Sequence, residues 1–321
     1  MPAPYDNELL TFNTVAIKEA VDGKIRDVTP EETPFLSNLG SAPKPANTTW
    51  KWLVQSLAAA SASNLDAQGK DYTTVAAAQP TQLSSEMQIS SKAIAVSNTV
   101  EATSRHGRAG ELMRAMMRAG IELKRDQNKN LVSANQEKAA GSAGVAGTTA
   151  TILSWIKTNT NIGTGSAANP SAADGTGTRT DGTQRVLTET ILKDVLQKCW
   201  TSSGTPGKRV VYMGPVNIQR ASGFIGLSQK DSAASDRTIY GVADIYKGQF
   251  ETVMFIPERA MRERDVLVIC NAFLKLAVLR GYTPIDLAIT GDYVGKALVT
   301  EYGLQMDNEL AHGGAFDLTT T

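Results

Sequence analysis

The stretch that decides the fold is GRAGELMRAMMRAGIELKRDQNKNLVSANQ, residues 107–136. On a wheel of about 100° per residue, Ala109, Leu112, Met113, Met116, Ala119, Gly120, Leu123, Leu131 and Ala134 fall on one broad face. Glu111, Arg114, Arg118, Glu122, Arg125 and Lys129 recur at spacings of three or four on the opposite face, mixing signs as a solvated ridge does. The pattern predicts a single helix over 107–136, on the order of 45 Å long at ~1.5 Å per residue, where a usual helix has ~12 residues. The Met116-Met117 pair reads as core filler.

Upstream of that helix, Thr48-Thr49-Trp50-Lys51-Trp52-Leu53-Val54 places Trp50, Trp52 and Val54 on one face of a strand by period-two alternation. A second strand begins near Leu83. There Met87 and Ile89 share a face, whereas Ile94, Val96 and Val100 have the opposite parity, so the pairing needs a bulge or a change of covered side. The tip between the strands, residues 58–82, is rich in Ala, Ser and Thr. A two-stranded ribbon of this kind is marginal alone and must lie on something else, its base on its own subunit and its outer part on a neighbour. Residues 1–47 carry Pro2, Pro4, Pro30, Pro34, Pro43 and Pro45 and read as an extended, mildly acidic arm. Within it Thr33-Pro34-Phe35-Leu36-Ser37-Asn38-Leu39-Gly40 is a short apolar anchor between turn formers.

Downstream, residues 139–183 are dominated by Gly, Ala, Ser, Thr and Asn, and read as long loops pinned by the apolar knot Ile152-Leu153-Ser154-Trp155-Ile156. Thr188 can cap a helix carrying Leu192, Val195, Leu196, Cys199 and Trp200 inward. Strands at 209–213, 252–256, 266–270 and 274–279, with a helix at 215–224, argue a small α/β domain around a central sheet. Strand signals return at 297–300 and 303–306. Cys199 and Cys270 are most economically buried small hydrophobes.

Composition and motifs exclude several classes. The 321 residues carry 32 Lys+Arg against 32 Asp+Glu, and a neutral chain is a poor grip for nucleic acid, which is held by cations on phosphates. Two Cys and two His, with no CxxC and no HExxH, offer neither a disulfide framework nor a zinc module. No run approaches the ~20 apolar residues of a membrane span, and a soluble intracellular or particle-borne protein is expected. Gly163-Thr164-Gly165-Ser166-Ala167-Ala168 fits GxGxxA, yet Asn169-Pro170 follows where a dinucleotide site needs a helix, so a flexible loop is expected. His106 and His312 lack partners at ligand spacing, and Glu31-Glu32 and Asp307/Glu309 read as solvated surface. No catalytic, cofactor or metal site emerges.

An arm, a ribbon that cannot stand alone, one long helix, and an α/β domain inserted before closing strands suit a shell tile better than an enzyme. This order resembles the Hong Kong 97-type major capsid protein of tailed phages. The resemblance becomes specific at Thr33 to Gly40 followed by Trp50-Lys51-Trp52-Leu53, at Gly110-Glu111-Leu112 through Glu122-Leu123-Lys124-Arg125-Asp126, and at Thr290-Gly291-Asp292 leading to Glu301-Tyr302-Gly303-Leu304-Gln305-Met306-Asp307-Asn308-Glu309-Leu310-Ala311-His312. These segments are similar to the SU10 subgroup of major head proteins.

The resemblance implies an α+β fold divided into an N-terminal arm (1–47), an extended β-hairpin loop (48–102), a spine helix with the first part of a peripheral domain (103–187), an α/β axial domain (188–281) and closing peripheral strands (282–321). It implies a structural protein of the virion with no catalysis and no cofactor, assembled in the host cytoplasm into hexamers and pentamers of an icosahedral head. The partners implied are other copies, neighbouring capsomers, a portal, and packaged double-stranded DNA held without sequence-specific binding; no membrane is involved. The arm starts almost at Met1, which implies a separate scaffolding protein or none. Phe35, Leu36, Trp50, Trp52, Val54, Met87 and Ile89 are the expected inter-subunit contacts. The rival readings are a cellular nanocompartment shell of the same fold and a filament subunit, the latter opposed by the Pro-rich start.

Overall fold

The computed structural model describes residues 32–71, 76–103, 110–203, 208–224, 245–248 and 250–320. Most of the expected arm, residues 1–31, and His106 therefore lie outside the described residues.

The anchor segment forms a short helix, α1 (Pro34–Asn38), with Pro34 in the first turn, where its missing N–H costs nothing. Two residues, β1 (Gly40–Ser41), lead to β2 (Thr49–Val54), which pairs antiparallel with β3 (Thr81–Glu86). The chain breaks at Met87 and resumes as β4 (Gln88–Ser97), which joins a different sheet. That change of sheet is the physical cause of the parity slip: Met87 is buried, whereas Ile89, expected on the same face, is 56% exposed.

After α2 (Asn98–Ala102) comes the central helix, α3 (Glu111–Ser133), with 23 residues or about 34 Å at 1.5 Å per residue. It is shorter than its pattern predicted. Its N-cap, Gly110, adopts the left-handed φ of 69°, a conformation that only Gly takes freely, and residues 107–109 lie outside the described residues. At the other end side chains replace the next helical turn. The Thr151 hydroxyl donates to the Ala134 carbonyl (2.6 Å), and the Asn135 amide donates to Arg179 O (2.6 Å). The buried row is Ala119, Leu123, Gln127 and Leu131, at spacings of four, flanked by Asn128 and Val132. Met113 (68% exposed) and Met117 (61%) point to solvent, whereas Leu112 and Met116 are half-buried, so over the first two turns the predicted apolar face is only partly covered and the core-filler reading fails for Met117.

That sheet has the order β1-β10-β11-β4, in which β10 (Leu274–Asp286) and β11 (Tyr293–Met306) form a long antiparallel pair, from Leu274 opposite Met306 to Asp286 opposite Lys296. The strand expected at 274–279 thus belongs here and not to the α/β sheet, because a 3₁₀ turn at Asn271–Phe273 redirects the chain. Helix α3 packs on β4 and β11, and the β2–β3 hairpin seats against β11. Gly303 permits that seat: a Cβ there would lie 3.1 Å from both Glu86 O and Met87 Sδ.

The second sheet runs β5-β12-β9-β6-β8-β7: β5 (Thr160–Asn161), β6 (Arg209–Met213), β7 (Ile245–Lys247), β8 (Thr252–Pro257), β9 (Val266–Cys270) and β12 (Gly313–Ala315). Strands β6 and β8 are parallel neighbours, with α6 (Pro215–Ala221) and β7 between them in the chain, within the expected central sheet. Helix α5 (Glu189–Ser203) covers the sheet with Leu192, Val195, Leu196 and Cys199, and Thr188 Oγ1 accepts the Ile191 N–H as the sequence predicted. Trp200 is 55% exposed, contrary to expectation, one position beyond the buried arc. The apolar knot is α4 (Ile152–Trp155), fully buried between the two sheets with Phe35, Leu131, Tyr212 and Tyr302. Asp317 adds a second pin to the loops by accepting Gly163 N (3.0 Å) and Gly182 N (2.6 Å) and pairing with Arg264 (2.7 Å). Burial opposes its charge, but these donors hold the carboxyl below its usual range.

Candidate assembly surface

The sequence offered no reaction centre, and its chemical candidates occupy structural places. His312 is fully buried; the Cys270 N–H donates to its Nδ1 (3.2 Å), and burial beside Arg209 lowers its pKa to about 3. The Cys199 thiol is pushed up to about 12 by burial, which leaves it an inert core group. The GxGxxA segment is loop with no helix after it. Asp307 pairs with Lys275 (2.6 Å), and Glu309 accepts the N–H groups of Lys157 (2.8 Å) and Thr158 (2.7 Å), so both are structural rather than merely solvated. Among the described residues no group of His, Cys, Asp or Glu could hold a metal, and no helix is long and apolar enough to cross a membrane.

What the surface offers is apolar area that the chain does not cover. Trp50 and Trp52 turn inward as the alternation required. The Trp50 indole N–H donates to Gln305 Oε1 (2.8 Å), that of Trp52 to Met306 O (3.2 Å), and the Trp52 ring lies 5.9 Å from that of Trp155. Val54 is half-buried. Phe35 is fully enclosed, edge-on to Tyr212, with its N–H on Glu258 Oε2 (3.1 Å), and Met87 is 5% exposed. Phe35 and Met87 thus have no side-chain surface left for a neighbour; Leu36 is partly covered, its N–H held by Asn128 Oδ1 (3.0 Å). Of the seven expected contact residues, Ile89 is the one that stays largely in water.

Other exposed apolar side chains went unnoticed in the sequence. Beyond β2 and β3 every described residue from 55 to 80 is exposed, including Leu57 (97%) and Leu65 (84%), which the other described residues leave almost wholly uncovered. At the far end of β10 and β11, Ile285, Leu287, Ile289 and Val294 form a second patch. Trp200 and Phe250 make a third, their rings 5.4 Å apart and both partly exposed. Isolated large apolar residues at polar tips were the available signal for the first two patches. Exposed apolar clusters of this kind make these three places the candidate surfaces for protein contact.

The SU10 major capsid protein family matches residues 5–319 of the chain. A major capsid protein of Escherichia phage Phieco32 is 33% identical over 107 residues, and the match spans 33% of this chain and 30% of that relative. Among solved structures, the capsid of a native GTA particle superimposes with a TM-score of 0.63 at 12% identity, covering 96% of this chain and 98% of the other. The capsid of Cyanophage P-SCSP1u gives 0.61 at 10% identity, with 96% of each chain covered. That of Gordonia phage Cozz gives 0.59 at 11%, covering 100% of this chain and 98% of the other. At such identities the likeness establishes the fold, an α+β arrangement of the Hong Kong 97 capsid type. With the family match running almost from end to end, the chain belongs to the SU10 major capsid protein family.

Proposed function

We propose that the chain is the major capsid protein of a tailed bacteriophage, a structural protein without catalysis that assembles as hexamers and pentamers into an icosahedral head around double-stranded DNA. The family match over residues 5–319 carries this reading. The uncovered hairpin tip supports it, because a strand pair ending in bare leucines gains its stability from a second surface. The neutral formal charge suits a wall that confines DNA without gripping it. Assembly in the host cytoplasm, with a portal and a separate scaffolding protein, completes the proposal, as does the division into arm, extended loop, peripheral and axial parts. Negative-stain electron microscopy and sedimentation of the purified chain, with and without scaffold, test it. Capsomers and closed shells are expected, and particles from infected cells should contain DNA. Filaments, persistent monomers, or shells loaded with an enzyme in place of a genome would overturn it.

A further inference from the structure

A cleft of about 680 Å³ runs along the polar face of α3, bounded by β4 and by the turn that follows β8. Arg118, Arg125 and Lys129 line it from the helix and Arg259 from the turn. Lys92, also in its wall, is already neutralised by Glu122 (2.9 Å) and Asp126 (3.1 Å). Burial opposes the Lys92 charge, but those two carboxylates outweigh it and raise its pKa. Among the described residues no carboxylate lies within ion-pair distance of Arg118, Arg125, Lys129 or Arg259. Lys92 lowers the Glu122 carboxyl, and Arg118 and Arg125 help from a distance, yet with Lys92 the lining holds five cations against the carboxylates of Glu32, Glu122 and Asp126, a balance that focuses a field that draws an anion.

The chain itself carries an acidic segment next to this place in sequence. Glu32 lies on the lip of the cleft, and the residues after it are fixed: Thr33 is buried, and α1 is tied down through Glu258 and Asn128. Residues 1–31, which precede that lip, carry six acids (Asp6, Glu8, Glu19, Asp22, Asp27, Glu31) against Lys18, Lys24 and Arg26, a net charge of 3 − 6 = −3. Three of those acids lie within ten residues of Glu32. From Arg118 to Lys129 the helix rises about 16 Å, and an extended chain from Glu31 back to Asp22 reaches about 30 Å, so the segment can span the row of cations. Glu122 and Asp126 sit among those cations and would repel an unbroken polyanion, whereas a peptide of mixed sign can place Lys24 and Arg26 beside them. We propose that this cleft is the docking site of the chain's own acidic N-terminal segment, residues 1–31. The assignment stands independently of the capsid reading.

Carbodiimide, which joins carboxylates to amines in direct ion contact, tests it on the full-length chain prepared as a mixture of unlabelled and ¹⁵N-labelled protein. Linkage of Lys92 to Glu122 reports that the reagent has worked. Peptide mass spectrometry should then find Lys129 linked to Asp22, Asp27 or Glu31, with the two isotopes unmixed. The yield should fall at least five-fold at high salt or in an Arg118→Glu, Arg125→Glu double variant, both exposed positions whose change leaves the fold intact. Absence of any link from Lys129 to residues 1–31 overturns the proposal, as does an undiminished yield in the double variant. Mixed-isotope links assign the cleft to a neighbour's segment and overturn the intrachain version. Protection of Lys129 from acetylation by duplex DNA, without a link to residues 1–31, gives the cleft to phosphates and likewise overturns it.

Discussion

At the scale of single residues, two buried polar groups carry consequences that can be measured. Arg209 opens β6 with its guanidinium enclosed, donating to Ala311 O (2.9 Å) and Ser203 Oγ (2.7 Å) and pairing with Glu251. Truncating one member strands the other in a dry site, so Arg209→Ala should cost about 3–5 kcal/mol in urea unfolding. An Arg209→Met, Glu251→Leu double variant should recover most of that loss. His312 sets a pH dependence. Its folded pKa of about 3 lies below the ordinary 6.5, so between those values the unfolded chain binds a proton that the folded chain refuses. Stability therefore falls as pH drops through 6.5 toward 3, by up to ~1.4 kcal/mol per unit for this group. Urea midpoints at pH 7.5 and 5.0 should show the loss in the natural chain and a flatter response in His312→Asn. None of this was legible in the sequence. His312 sits in a stretch that reads as polar, and Gln127 and Asn128 look like surface helix residues. Their burial follows from partners 130 to 173 positions away, Glu258 and Thr300, which no local pattern encodes.

Elements were more legible, where one period dominated. Strands β6 and β9 lie at 209–213 and 266–270 as read, because a run of β-branched and other apolar residues between turn formers has few alternatives. The parity slip read between Ile89 and Ile94 was visible as an anomaly, but it lies at Met87, where the chain passes from one sheet to another, a tertiary event; β4 itself alternates without a break. Helix α3 was legible as a helix and not in extent, since Thr151, far along the chain, ends it. Its interior Gly120 has helical backbone, and an added Cβ would meet Leu298 Cδ2 at 3.7 Å, ordinary contact. Gly120→Ala should thus raise stability by about 0.5–1 kcal/mol, read as a higher melting temperature. Gly175 is the contrast: with φ of +80° and Ala150 Cβ 2.7 Å from the new atom, Gly175→Ala should lower it.

For the whole molecule, the order of segments was enough to suggest the shell fold, whereas the division between covered and uncovered surface was not. Trp52 shows why. Its period-two position marks an apolar face but cannot say that Trp155 of the same chain waits beneath it. Trp52→Ala should accordingly destabilise the isolated subunit, by about 2–3 kcal/mol for a half-buried ring. Leu57→Ser with Leu65→Ser should leave the subunit melting temperature within 1 °C of the natural chain, by the usual small effect of surface changes, and sharply reduce the yield of shells. Hydrogen exchange should find the tip amides fast in free subunits and slowed after assembly, with α3 protected in both. The strand order β5-β12-β9 has a different consequence, one of timing. Every residue of β9 is buried, and the strand that closes its outer flank, Gly313–Ala315, is synthesised only after the long β10–β11 pair that lies between them in the chain. Until then each nascent copy holds a bare apolar sheet edge, the feature most prone to pairing with other chains. Because these pairings join residues far apart in the chain, closure is slow, and the exposed edge of β9 is the place where copies made side by side would first pair wrongly.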